Sequence, residues 1–154
     1  MIHFTTHEIG SLAKPEWRVK AALGKALDEK DFAEAILWGK LLKIDYSSLL
    51  KLLKKNNISK KNLKEIKKWA SIYAVKMQEQ AGLEVVYDGE QQRSEMYHYA
   101  VKQSLGFIFR GLVRSFDNKY YQKAACVAKP HLKKPWHVDE LLLLKKIAKK
   151  KVKI

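Results

Sequence analysis

Two short turns hold the residue types best suited to chemistry. Ile9-Gly10-Ser11 follows an apolar and β-branched run, Ile2 to Thr6, and Asp88-Gly89-Glu90 follows another, Leu83 to Tyr87. A glycine lets the backbone turn tightly and leaves its own N–H and the next one available to an anion such as a carboxylate. A carboxylate at the second turn suits an ammonium group or a proton. In parallel α/β folds the reactive groups sit just past the C-terminal ends of strands. The same residue types also make ordinary turns, so pattern alone leaves both readings open.

Other constellations say less. The five histidines, His3, His7, His98, His131 and His137, include no H-E-x-x-H pair. Glu95-Met96-Tyr97-His98 is a Glu-x-x-His unit, but a di-iron bundle needs two of them with further glutamates. No metal ligand is assigned. Cys126 is the sole cysteine, so neither an internal disulfide nor a closed cysteine zinc site can form within this sequence. A buried structural thiol is the expected role. Tyr97, Tyr99, Phe107, Phe109, Tyr120 and Tyr121 lie near Arg93, Arg110 and Arg114. Such interleaving can stack nucleobases, but alternation along a hairpin more simply gives a half-buried face.

Composition narrows the classes. In 154 residues, 47% are hydrophobic and 31% charged, the balance of one folded domain. The formal charge is +15. Residues 1–90 hold 16 basic and 12 acidic side chains, and residues 91–154 hold 15 and 4. Only Arg18, Arg93, Arg110 and Arg114 are arginine, whereas base-edge readout leans on arginine. A solvated lysine surface is expected rather than a nucleic-acid interface. No apolar run approaches the roughly 18 residues of a membrane span, and no secretory signal is visible. A cytoplasmic compartment is expected.

The elements must position those turns. Ile2 to Thr6 reads as a strand, and a helix is expected from Pro15 to about Leu27. Asp31-Phe32-Ala33-Glu34 reads as a capping box. Ser47 or Ser48 is expected to cap a helix over Leu49 to Lys55, ended by Asn56-Asn57. Ser59 caps the clearest helix, whose Leu63, Ile66, Ala70, Tyr73, Ala74, Met77 and Ala81 form one stripe. Gly82 closes it. Leu83 to Tyr87 reads as a buried parallel strand. A helix over about Gln92 to Gln103, with Met96, Ala100 and Val101 on one side, ends before Gly106. A hairpin pairs Phe107 to Phe116 with Tyr120 to Val127 around Asp117-Asn118. Lys129-Pro130 and Lys134-Pro135 mark a loop, a last helix runs from His137 to Lys150, and Val152-Lys153-Ile154 opens a third strand. This βαβαβ order is that of a parallel α/β sheet. A domain that opens a buried strand at its last residue is expected to be incomplete.

At these residues the sequence resembles the catalytic barrel of cobalamin-independent methionine synthase. TTHEIGSLAKPEWR is similar to that family's opening, where a T-T-x-I-G-S-like stretch follows the first strand. GLEVVYDGEQQRSEM resembles its G-L-D-V-x-x-x-G-E-x-x-R-x-D-M segment, and SFDNKYYQKAACVAKP its hairpin. The likeness spans nearly the whole chain and points to the short archaeal-type members, which have only the catalytic barrel.

The resemblance implies an α/β fold, an incomplete (β/α)₈ TIM barrel with its first two to three strands and a β-hairpin insertion. Residues 1–154 would be the N-terminal part of that one domain, since a complete barrel takes about 250 residues. It implies transfer of a methyl group from a methylated folate, or another methyl carrier, to homocysteine, giving methionine. Ile9, Gly10 and Ser11 match the stretch that holds the amino-acid end of homocysteine, and Glu90 matches the glutamate that binds its ammonium. Lys123 and Ala124 fall near an arginine and a cysteine of the methyl-donor site, from which this sequence departs. Asp88 stands where a histidine is common. The zinc of the complete enzyme would take its ligands from later strands, outside this chain, so a second polypeptide that completes the barrel is a further expectation. Competing readings are a uroporphyrinogen-decarboxylase-like or corrinoid-dependent methyltransferase, and a basic nucleic-acid-binding module.

Overall fold

The computed structural model describes residues 4–55, 57–116 and 118–154. The chain divides into two compact units. One runs to Gln92 and resumes over Asp139–Ile154, and the other is Arg93–Val138.

The first unit opens with an irregular segment. The strand expected over Ile2 to Thr6 falls partly outside the described residues. Phe4 to Thr6 are irregular, and pairing is confined to a parallel bridge between His7 and Val85. Four helices follow: α1 (Glu16–Leu23), α2 (Glu29–Leu41), α3 (Ser47–Leu53) and α4 (Lys60–Gln80). Then come β1 (Val85–Val86) and, after the second unit, α6 (Val138–Ile147) and β4 (Lys151–Val152). β1 and β4 pair in parallel, Val85 beside Lys151 and Val86 beside Val152. Parallel tracks therefore lie in sequence order, with β1 between the His7 segment and β4.

Local chemistry sets the helix ends. Pro15 precedes α1, and Gly24 at φ +66° ends it four residues before the expected Leu27. The capping box of α2 is Asp28 with Asp31, not Asp31 with Glu34: Asp28 accepts from Asp31 N–H, and the Asp31 carboxylate accepts from Asp28 N–H. Lys20 bridges both carboxylates at 2.9 Å. α3 begins at Ser47 with Tyr46 before it, and no serine caps it; Asp45 accepts the Ser47 N–H instead. Asn56, half of the stop expected after α3, lies outside the described residues. Ser59 caps α4 as expected, through Asn62 N–H at 3.2 Å. Gly82 lies at φ +85°, where glycine is the least strained residue.

The single stripe expected on α4 is in fact two faces. Ile66, Ala70 and Tyr73 pack into a core with Trp17, Ala21, Ala35, Leu49 and Leu53 from the first three helices. Tyr73 also donates its hydroxyl to Ala35 O at 2.8 Å. A second face, Ser71, Val75 and Gln78, is buried too, with Val75 packed among Val86 and Leu144. Ser71 and Gln78 are polar, which hides that face from a search for apolar periodicity. Ala81 is exposed.

The second unit holds α5 (Met96–Lys102) and an antiparallel pair, β2 (Ser104–Arg114) and β3 (Tyr120–Leu132). The hairpin is longer than expected at its base. Gly106 lies inside β2 at φ +85°, where a Cβ would meet Ala128 O at 2.6 Å. The pairing skips from Phe107–Cys126 to Leu105–His131. Pro130, which has no N–H to donate, falls in that irregular stretch, so Lys129-Pro130 is strand rather than loop. The expected half-buried face holds at Phe107, Phe109 and Tyr121, which are partly buried and alternate along β2 with exposed Ile108 and Arg110, whereas Tyr120 is exposed. So is Cys126, against the expectation of a buried thiol. Asp117 of the expected turn, and the side chains of Met96 and Tyr97, lie outside the described set. The last helix stops at Ile147, three residues before Lys150, and Lys151–Val152 is strand. Among the described residues no helix is long and apolar enough to cross a membrane.

Candidate functional site

The second face of α4 builds the end of β1. The Gln78 side chain takes both backbone groups of Tyr87, donating to its carbonyl at 2.7 Å and accepting its N–H at 3.3 Å. Ser71 donates to Asp88 Oδ2 at 3.2 Å. Asp88 Oδ1 accepts the N–H of Glu90 at 2.9 Å, which closes the turn and holds Glu90 at φ +61°. Asp88 is 3% exposed. It shapes the turn, whereas Glu90 stays partly exposed.

The N-terminal segment is pinned onto this turn. Thr6 O accepts the N–H groups of Glu84 and Val85, both at 3.2 Å. Leu12 N–H donates to Gly89 O at 3.1 Å. Gln91 Nε2 reaches Leu12 O and Ala13 O at 3.3 and 3.1 Å. Arg18 donates Nε and Nη2 to Gln91 O at 3.0 and 2.8 Å. The Tyr87 hydroxyl donates to Gly10 O. Gly89 admits the contact because any Cβ would sit 2.7 Å from Leu12 side-chain atoms.

Ile9, Gly10, Ser11 and Glu90 are thus held on two adjoining turns beyond the parallel strands. Gly10 lies at φ +84°, and Ile9, Gly10 and Ser11 are exposed. Among the described residues the N–H groups of Gly10 and Ser11 donate to no protein acceptor. Three carboxylates act on Tyr87, which lies between the two turns. The Tyr87 hydroxyl is pushed above the usual phenol range by burial first, then by the negative charges of Glu8, Glu90 and Asp88. Lys153 lies 4.9 Å over the Tyr87 ring and donates to His7 Nδ1 and Glu8 O. The arrangement sets the N–H groups of Gly10 and Ser11 on one turn and the partly exposed Glu90 carboxylate on the other.

Tyr87, Glu8, Gln91 and Lys153 are additions that the sequence did not single out. Tyr87 reads as the last apolar residue of a strand, and Lys153 as one lysine among many. Lys123 and Ala124 belong to the hairpin unit. Ala124 pairs with Phe109, and both Lys123 and Ala124 line a hollow with Tyr121 and Trp136. Among the described residues no three His, Cys, Asp or Glu side chains gather to hold a metal ion. They do not fit the zinc site that the resemblance implies for the complete enzyme.

Comparisons with known proteins point to one family. A family model described as "Cobalamin-independent synthase, Catalytic domain" matches residues 44–154. The methionine synthase of Thermoplasma volcanium is 40% identical over 92 residues, 59% of this chain and 27% of the relative. That of Pyrococcus furiosus is 38% identical over 97 residues, 63% of this chain and 29% of the relative. That of Pyrococcus horikoshii is 35% identical over 145 residues, 92% of this chain and 33% of the relative. The chain spans about a third or less of the length of these curated relatives. With its family model matched over residues 44–154, the chain belongs to the family of cobalamin-independent synthase catalytic domains.

Proposed function

We propose that this chain is the N-terminal portion of a methionine-synthase barrel and supplies the amino-acid half of its homocysteine site. The Gly10 and Ser11 N–H groups, framed by Ile9, receive the homocysteine carboxylate, and Glu90 binds its ammonium. The observation that carries this reading is the pinning of these two turns side by side, with open N–H donors on one and the partly exposed Glu90 carboxylate on the other. The sequence-ordered parallel tracks support an incomplete (β/α)₈ barrel with the hairpin inserted in it.

In the reaction, a sulfur–carbon bond forms at homocysteine as the carrier–methyl bond breaks; its electron pair stays on the carrier, which gains a proton as the thiol loses one. The thiolate is the nucleophile. The residues of this chain anchor the other end of the molecule and so fix where that sulfur lies. The zinc that the resemblance implies would keep the thiol deprotonated in the complete enzyme, and its ligands would come from outside these residues. The methyl donor is a methylated folate or another methyl carrier, and Lys123 and Ala124 of the hairpin unit are its candidate contacts. The remaining barrel comes in cis or as a second polypeptide, and the compartment is the cytoplasm. The family match favours neither a uroporphyrinogen-decarboxylase-like nor a corrinoid-dependent enzyme, nor a nucleic-acid module.

The test joins residues 1–154 to the part of the Pyrococcus horikoshii relative beyond its matched third. The joined protein is expected to make methionine from homocysteine and a methyl donor. A folded joined protein that transfers no methyl group from any donor to homocysteine would overturn the reading.

A further inference from the structure

Tyr87 stands one residue beyond β1, and Lys153 one residue beyond β4. Val86 and Val152 pack with Val75 of α4 and Leu144 of α6. Side chains alternate along a strand, so Tyr87 and Lys153 turn to the opposite face, where Lys153 Nζ lies 4.9 Å over the Tyr87 ring. Each holds a carbonyl of the segment 8–11: Lys153 donates to Glu8 O, and the Tyr87 hydroxyl donates to Gly10 O. The Ile9 N–H is taken by Glu8 Oε1 at 3.0 Å. Among the described residues no peptide bond is cis. In a planar trans peptide the C=O and the N–H point in opposite directions. Gly10 O and Ser11 N belong to one peptide, so the bond that fixes the first also aims the second. Little else steadies that peptide: Gly10 and Ser11 are exposed, and a Cβ on Gly10 would meet nothing within 4 Å. Burial and the neighbouring carboxylates hold the Tyr87 hydroxyl above the usual phenol range, so at neutral pH it keeps the proton it donates.

We propose that Tyr87 is a positioning residue for the carboxylate end of homocysteine: its hydroxyl orients the Gly10–Ser11 peptide so that the Ser11 N–H meets that carboxylate. The proposal rests on the homocysteine reading above. Tyr87 acts through the peptide and touches no reacting atom. A glycine turn has wide conformational freedom, so without the hydroxyl the N–H must be ordered when the substrate binds, and affinity falls. The effect is confined to molecules that carry the carboxylate, because the ammonium is held by Glu90 on the other turn.

The test uses the joined protein with three thiols: homocysteine as substrate, and 4-sulfanylbutanoate and 3-aminopropane-1-thiol as competitors. The first competitor lacks only the ammonium of homocysteine, and the second lacks only its carboxylate. Tyr87→Phe keeps the ring beneath Lys153. It is expected to raise the homocysteine KM and the inhibition constant of 4-sulfanylbutanoate about fivefold, the worth of one hydrogen bond. The inhibition constant of 3-aminopropane-1-thiol and kcat are expected to stay unchanged. Glu90→Gln is expected to do the reverse with the two competitors. A homocysteine KM that Tyr87→Phe leaves unchanged, while Glu90→Gln raises it, overturns the positioning role alone. So does an equal weakening of all three thiols by Tyr87→Phe, the mark of a merely structural loss. A KM that neither variant changes overturns the reading of the site together with the proposal.

Discussion

Gly10 and Gly89 both take a positive φ, but for different reasons. At Gly10 an added Cβ meets nothing within 4 Å, so alanine there costs only the backbone strain, about 1–2 kcal/mol. At Gly89 the Cβ also strikes Leu12, including its Cβ, at 2.7 Å. Gly89→Ala is expected to lower stability to urea by about 1–3 kcal/mol more than Gly10→Ala does. Equal costs would show that the two turns are not pressed together. The candidate residues Gly10, Ser11 and Glu90 were legible because glycine and carboxylate after a strand carry a chemical meaning by themselves. Asp88 was not separable from Glu90, because both are carboxylates on one turn and only burial tells them apart. Tyr87 and Gln91 were hidden because their work is done by contacts with residues almost eighty positions away.

At the scale of the element, α4 joins core and site. Its apolar face was read correctly from Ile66, Ala70 and Tyr73. Its site-building face was missed because Ser71 and Gln78 are polar, yet buried. Gln78→Leu strips both partners from the Tyr87 backbone, and each buried unpaired group costs about 1–3 kcal/mol. A loss of about 2–4 kcal/mol in urea unfolding is expected; a loss within the range of a neutral surface change would remove Gln78 from this role. The start of α2 carries a pH dependence. Asp28 sits below its ordinary value of 3.8, chiefly through its bond to Lys20 and then through Asp31 N–H. A lowered carboxylate pKa contributes stability that is complete above the unfolded value and is lost as pH falls through the folded one. The stability difference between the chain and Asp28→Asn, followed by urea midpoints, is expected to hold at neutral pH and fade below 3.8. A difference unchanged down to pH ~2 would contradict that role. The hairpin was legible from its alternation, but not its base, where Gly106 and Pro130 build an irregular stretch that reads as an end.

At the scale of the molecule, β4 pairs only with β1 among the described residues. An open strand edge invites pairing, so the isolated chain is expected to self-associate with rising concentration in size-exclusion chromatography. A monodisperse monomer that unfolds cooperatively would count against the incomplete barrel. The parallel order was legible from the βαβαβ pattern, while the shortness of its strands, two residues in β1 and two in β4, was not, since pairing needs partners that no single segment reveals. The central claim concerns Glu90, and the most direct measurement is the homocysteine KM of the joined protein with Glu90 and with Glu90→Gln. A charged hydrogen bond of this kind is worth about 1.5–3 kcal/mol, so KM is expected to rise by roughly 10- to 100-fold. An unchanged KM and kcat would contradict the account and remove Glu90 from the site.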